Sequence, residues 1–153
     1  MRNEKWIWLD MDGTFVNLYG VDGWLNDLID YNTRPYAIAK PIYPMLDLLE
    51  VLVDLKLDGY KIGIVSWLSK DGNTEYGKAV AQVKKDWLNE YCMDLILDKI
   101  LITPYGVRKA DTCRAYGGIL VDDEKKNREE WDLGNTIDAT ENIIKKLREL
   151  LDK

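Results

Sequence analysis

The stretch Lys5-Trp6-Ile7-Trp8-Leu9-Asp10-Met11-Asp12-Gly13-Thr14 decides the fold. Four large apolar side chains run straight into two aspartates one residue apart, and a glycine follows. That is the order of a buried strand whose end presents carboxylates to a tight turn. Residues 5–10 are therefore read as the first strand.

Outward from it, strand and helix patterns alternate. A short helical pattern covers residues 24–31. Residues 33–44 carry Pro35, Pro41 and Pro44 and read as an irregular connection. Leu46, Leu49, Leu52, Val53 and Leu57 recur at helical spacing over residues 45–57, with Gly59 as the stop. Residues 60–66 (YKIGIVS) form a second strand, and a long helix over about 75–90 follows. Residues 100–103 and 118–121 read as the third and fourth strands, the latter ending at Asp122 and Asp123. Residues 94–98 leave helix end, strand and loop open. Residues 139–151 form an amphipathic helix with Ile143, Ile144, Leu147, Leu150 and Leu151 on one side and a solvated basic face on the other. Such alternation, without repeats or a composition break, predicts an α/β protein: one domain over residues 1–153 with a parallel sheet covered by helices.

Composition narrows the chemistry. At 153 residues, with 46% apolar and 31% charged side chains, the chain is one globular domain's worth. Lys and Arg number 21 against 27 Asp and Glu, a formal charge of -6, so the overall field repels nucleic acid and anionic membranes. A small anionic ligand stays open. No apolar run approaches the roughly 20 residues of a membrane span, and no basic-apolar-small signal order opens the chain. A cytoplasmic protein is expected. Cys92 and Cys113 fit neither metal nor redox spacing and read as free thiols. There is no histidine, which excludes imidazole triads and histidine-held zinc.

In a parallel sheet the functional groups collect beyond the carboxyl ends of the strands. Four ends are readable: the loop from Asp10 to Thr14, Ser66, a loop reaching Lys109, and the pair Asp122-Asp123. Two carboxylates about 4 Å apart repel by roughly 4 kcal/mol at an effective dielectric of 20. A cation must offset that repulsion, and an all-oxygen set with few carboxylates suits magnesium. Read separately, each acidic pair is equally a cap or a solvated loop end.

Together, Asp10-Met11-Asp12-Gly13-Thr14, Ser66, Lys109 and Asp122-Asp123 resemble the four motifs of the haloacid dehalogenase (HAD) superfamily. The order covers about 115 residues. The run from Ser66 through KKDWLNEY to ILVDDEKKN is similar to the 5'(3')-deoxyribonucleotidases within it. The resemblance implies a three-layer α/β/α Rossmann-like sandwich and magnesium-dependent hydrolysis of a phosphomonoester, a (deoxy)nucleoside monophosphate among them.

It implies roles residue by residue. Asp10 is the nucleophile that forms an aspartyl-phosphate. Asp12 protonates the leaving oxygen and then takes a proton from water. Ser66 donates to a phosphate oxygen, and Lys109 neutralises the phosphoryl group and Asp10. Met11, Gly13, Thr14 and Trp67 complete the phosphate and substrate contacts. Magnesium falls to Asp10, Asp123 and the Asp12 backbone carbonyl, with Asp122 acting directly or through water.

Residues 15–44 leave room only for a small cap or flap, less than the nucleotidases use to select base and sugar. Its Tyr19, Trp24, Tyr31 and Tyr36, like Trp67, either stack on a nucleobase or pack as core. Such a cap implies an open site, a mobile flap, or a second subunit that covers it in a homo-oligomer. The expected partner is a small phosphorylated substrate. Phosphate removal from a nucleic-acid end or a phosphoprotein, and non-catalytic phosphate binding, are the alternatives.

Overall fold

The computed structural model describes residues 4–70 and 73–151. In chain order the first half holds β1 (Lys5–Leu9), β2 (Val16–Asn17), α1 (Trp24–Ile29), α2 (Arg34–Ile38), β3 (Lys40–Pro41), α3 (Met45–Leu57) and β4 (Tyr60–Trp67). The second half holds α4 (Thr74–Glu90), β5 (Lys99–Thr103), α5 (Lys109–Thr112), β6 (Ile119–Asp122), α6 (Lys125–Glu129), β7 (Thr136–Asp138) and α7 (Ile143–Leu151).

Side chains of β1 alternate between the two faces of the sheet, as a strand's period of two requires. Ile7 and Leu9 join Ile62, Ile64 and Val121 in a core closed by α3, α4 and α7. Trp6 and Trp8 join Val65 and Leu120 on the opposite face, against Ala110 and Cys113 of the α5 region and Trp131. The indoles of Trp6 and Trp8 stack 4.7 Å apart. Gly63 makes room for them, since a Cβ there would collide with the Trp8 ring.

Five parallel strands run in the order β5-β4-β1-β6-β7. The chain builds from β1 outward through β4 to β5, then returns to the other side of β1 with β6. The reversal leaves a crevice above the carboxyl end of β1, where open α/β sheets bind ligands. Among the described residues no helix is long and apolar enough to cross a membrane. Cys92 and Cys113 are free, one exposed and one buried.

Several local expectations are corrected. Residues 33–44 are not irregular throughout: α2 forms there, because Pro35 falls in its first turn, where its missing N–H costs no hydrogen bond. β3 pairs antiparallel with β2 to close the small insertion. On α3 the buried positions are Leu48, Val51, Leu52 and Leu55, while Leu46 and Leu57 are more than four-fifths exposed. Apolar residues on several sides of that helix let the sheet choose the face. α7 starts at Ile143, because the Asn142 side chain accepts from the Ile144 and Lys145 amides and caps it there. The open segment holds a single 3-10 turn at Met93–Leu95. β7, with one apolar residue, carried no readable pattern and is held by pairing with β6.

Candidate active site

The loop after β1 is folded around one carbonyl. Met11 O accepts from the amides of Thr14, Phe15 and Val16, each at 3.1 Å, and Gly13 N donates to Val16 O at 2.9 Å. Phe15 and Val16 are core residues that pin the turn from below. Gly13 has φ +82°, and a Cβ there would collide with Asp123 Oδ2, so glycine is required on both counts. The Met11 side chain is itself in that core and is not among the residues lining the cavity.

On the β6 side, Asp10, Asp122 and Asp123 each bring a carboxylate oxygen within 4.8 Å of the others. Lys109, the first residue of α5 rather than a loop residue, enters between the strands and is buried. Its Nζ donates to Asp10 Oδ1 at 2.9 Å and to Asp122 Oδ2 at 2.7 Å. Burial acts to lower the Lys109 pKa, yet Asp10 and Asp122 outweigh it and hold the ammonium above its ordinary range. Asp122 is further held by the Asn127 amide at 3.1 Å and by the Glu124 backbone N–H at 2.9 Å. Its carboxylate is thus fixed in place behind Asp10. The buried Thr14 hydroxyl lies 3.3 Å from both Asp10 Oδ2 and Asp123 Oδ1, so it supports the carboxylates instead of lining the cavity.

On the β4 side, Asp12 and Ser66 meet a second buried lysine. Lys84 Nζ donates to Asp12 Oδ2 at 2.9 Å, Ser66 Oγ at 2.8 Å and Trp67 O at 2.7 Å. The Asp12 carboxylate pairs with Lys84 and is not part of the three-aspartate cluster. Burial raises the Asp12 pKa against the opposing pull of Lys84, with a net upward shift.

Sequence reading missed Lys84, although a signal was there. Tyr76, Val80, Lys84, Trp87 and Leu88 are spaced by four, four, three and one along α4 and are all buried. A lysine on an apolar stripe calls for a carboxylate partner inside. Asn127 was missed because its sequence neighbours are those of a solvated charge run.

Four aspartates stand beside two lysines here, so carboxyl groups outnumber ammoniums by two. Burial first, and then the neighbouring Asp10 charge, push the Asp123 carboxyl up to about 8 and Asp122 to about 6. Carboxylates crowded this way are short of positive charge, and their all-oxygen donors fit magnesium.

The cluster opens onto a cavity of about 500 Å³. Asp10, Asp12, Ser66 and Lys109 line it, as do the rings of Tyr19, Trp24, Tyr31, Tyr36, Trp67 and Tyr105, aliphatic residues of α1, and the polar side chains of Ser69, Lys70, Glu124 and Asn127. Tyr19 packs edge-on to Trp24 at 5.0 Å, and Trp67 lies 4.9 Å from Tyr105. The insertion aromatics thus border the site rather than fill the main core.

No protein-family model matches the chain, and no curated protein does. Solved structures similar to the chain include two phosphatases. D,D-heptose 1,7-bisphosphate phosphatase from B. bronchiseptica, complexed with magnesium and phosphate, is 14% identical with a TM-score of 0.59, over 97% of this chain and 98% of that one. The enzyme of the same name from Burkholderia thailandensis is 13% identical with a TM-score of 0.50, over 98% and 100%. At such identity the likeness is one of architecture, and the chain has the HAD-like α/β fold.

Proposed function

We propose that this protein is a magnesium-dependent phosphomonoesterase in which Asp10 is the nucleophile and the substrate carries a flat, apolar group, as a (deoxy)nucleoside monophosphate does. One observation carries the reading: Asp10, held by Lys109 and Thr14, opens onto a cavity that six aromatic rings line together with aliphatic and a few polar side chains. A cavity of about 500 Å³ suits a small molecule. Ring faces on its walls suit stacking against a base.

In the first half-reaction the Asp10 carboxylate attacks phosphorus, and the bond from phosphorus to the leaving oxygen breaks. Asp12 gives that oxygen its proton, which its raised pKa favours. In the second half, Asp12 takes a proton from water as the water oxygen attacks phosphorus, which releases phosphate and restores Asp10. Lys109 faces the charge that builds on the phosphoryl oxygens, and Ser66 donates a hydrogen bond to one of them. Magnesium, when held by Asp10, Asp123 and the Asp12 carbonyl with Asp122 behind, supplies the positive charge that these carboxylates lack.

The test is a turnover screen across nucleoside monophosphates, sugar phosphates and phosphorylated DNA ends, with Asp10→Asn as the blank. Magnesium-dependent release of phosphate from nucleoside monophosphates is the expected result. Preference for a sugar bisphosphate overturns the aromatic-pocket reading, and absence of all turnover overturns the enzyme.

A further inference from the structure

Lys84 does not line the cavity, yet it joins two residues that do. Its ammonium has three N–H bonds and is surrounded by three acceptors, Ser66 Oγ, Asp12 Oδ2 and the Trp67 carbonyl. It is 1% exposed, so water does not compete for those bonds. An ammonium donates and never accepts. At Ser66 the hydroxyl oxygen must therefore be the acceptor, and Ser66 Oγ has no other hydrogen-bond partner among the described residues. The hydroxyl proton is left available to an acceptor in the cavity that Ser66 lines.

We propose that Lys84 is a positioning residue: by occupying the acceptor side of Ser66 Oγ and gripping Asp12, it fixes the Ser66 hydroxyl as a donor aimed at the phosphoryl group. A serine hydroxyl can otherwise rotate to donate or accept. An ionised phosphate presents acceptors, so a hydroxyl turned the wrong way loses the bond. The Trp67 carbonyl fixes the third N–H and ties α4 to the end of β4, so that the ammonium cannot swing to a different pairing. The identity of the anion rests on the phosphatase reading, whereas the link between Lys84 and Ser66 does not.

The experiment measures inorganic phosphate affinity calorimetrically on the full chain with saturating magnesium, for the wild type, Lys84→Met, Ser66→Ala and the double variant. Each single substitution is expected to lose about tenfold in affinity, the value of one hydrogen bond to a charged group. The double variant is expected to lose no more than Ser66→Ala does. Additive losses, or wild-type affinity in Lys84→Met, overturn the proposal. Lys84→Gln keeps an N–H that can reach Ser66 and is expected to recover part of the affinity; equal values for Gln and Met overturn the orienting role.

Lys84→Met strands the Asp12 carboxylate. Should it fail to fold, the same comparison is made on an Asp12→Asn background, where that charge is gone, with the same outcomes deciding. Wild-type turnover separates the two claims. Turnover with additive losses keeps the phosphatase and removes the role of Lys84. Coupled losses without turnover keep the Lys84 role and remove the phosphatase. A wild-type protein with no phosphate affinity overturns both.

Discussion

Two buried lysines flank the loop after β1, and they differ in what they hold. Lys109 bonds to Asp10 and Asp122, the residues at the ends of β1 and β6, and it lines the cavity. Lys84 bonds to Asp12, Ser66 and a backbone carbonyl from behind the cavity wall. One lysine can therefore meet a ligand's charge directly, while the other can act only through what it orients. Burying two ammoniums is costly unless each is paired, and here both are. On the proposed chemistry, the β6 side holds the nucleophile with its counter-charge, and the β4 side holds Asp12 and Ser66, which Lys84 grips from behind.

That contrast can be broken in order of expected size. Asp10→Asn should lower turnover by more than about a thousandfold while the circular dichroism spectrum stays that of the wild type. Substantial residual turnover would place the chemistry elsewhere. Lys109→Met leaves Asp10 and Asp122 facing each other without a counter-charge. It should cost about 3–5 kcal/mol in denaturant unfolding as well as most of kcat. A Lys109 variant as stable as the wild type would erase the difference between a paired and an unpaired buried cluster.

The cavity wall gives a smaller effect. Trp24→Ala should raise KM for a nucleoside monophosphate about tenfold and leave that for a phosphomonoester without a ring nearly unchanged. An equal change for both substrates would make Trp24 a packing residue.

The pH dependence is the finest probe. Asp123 is raised from 3.8 to about 8, so its contribution to stability is full below about pH 4 and is lost as pH rises through about 8. The metal-free protein should therefore lose a few degrees in Tm between pH 6 and 9, and saturating magnesium should add more to Tm at pH 8.5 than at pH 6. A magnesium shift that is the same at both pH values would mean that the cation does not sit among these carboxylates.

Much of both sides of the site was readable before the structure. Asp10, Ser66 and Asp122 stand at the ends of apolar runs, and a strand end fixes the direction of its side chain. Lys109 was readable only by its place in the order of motifs, and the structure puts it at the start of a four-residue helix. Lys84 was not read, because it stands beside Lys85 in a helix with a polar face, where a lysine pair resembles solvated charge. The aromatics of the insertion were undecided between stacking and packing. Their place on the cavity depends on where α1 and α2 come to rest against α4.

Residue order along the chain is enough to set the alternation of strands and helices, the turn that needs Gly13 and the acidic ends of β1 and β6. These depend on local periodicity and on backbone geometry within a few residues. Only the tertiary structure decided that α3 buries Leu48 and exposes Leu46, that the Met11 side chain joins the core, and that Lys84 reaches Asp12 across 72 positions of chain. Each of these is a choice between faces or partners that are locally equivalent. The contact made when separate elements pack together is what distinguishes them.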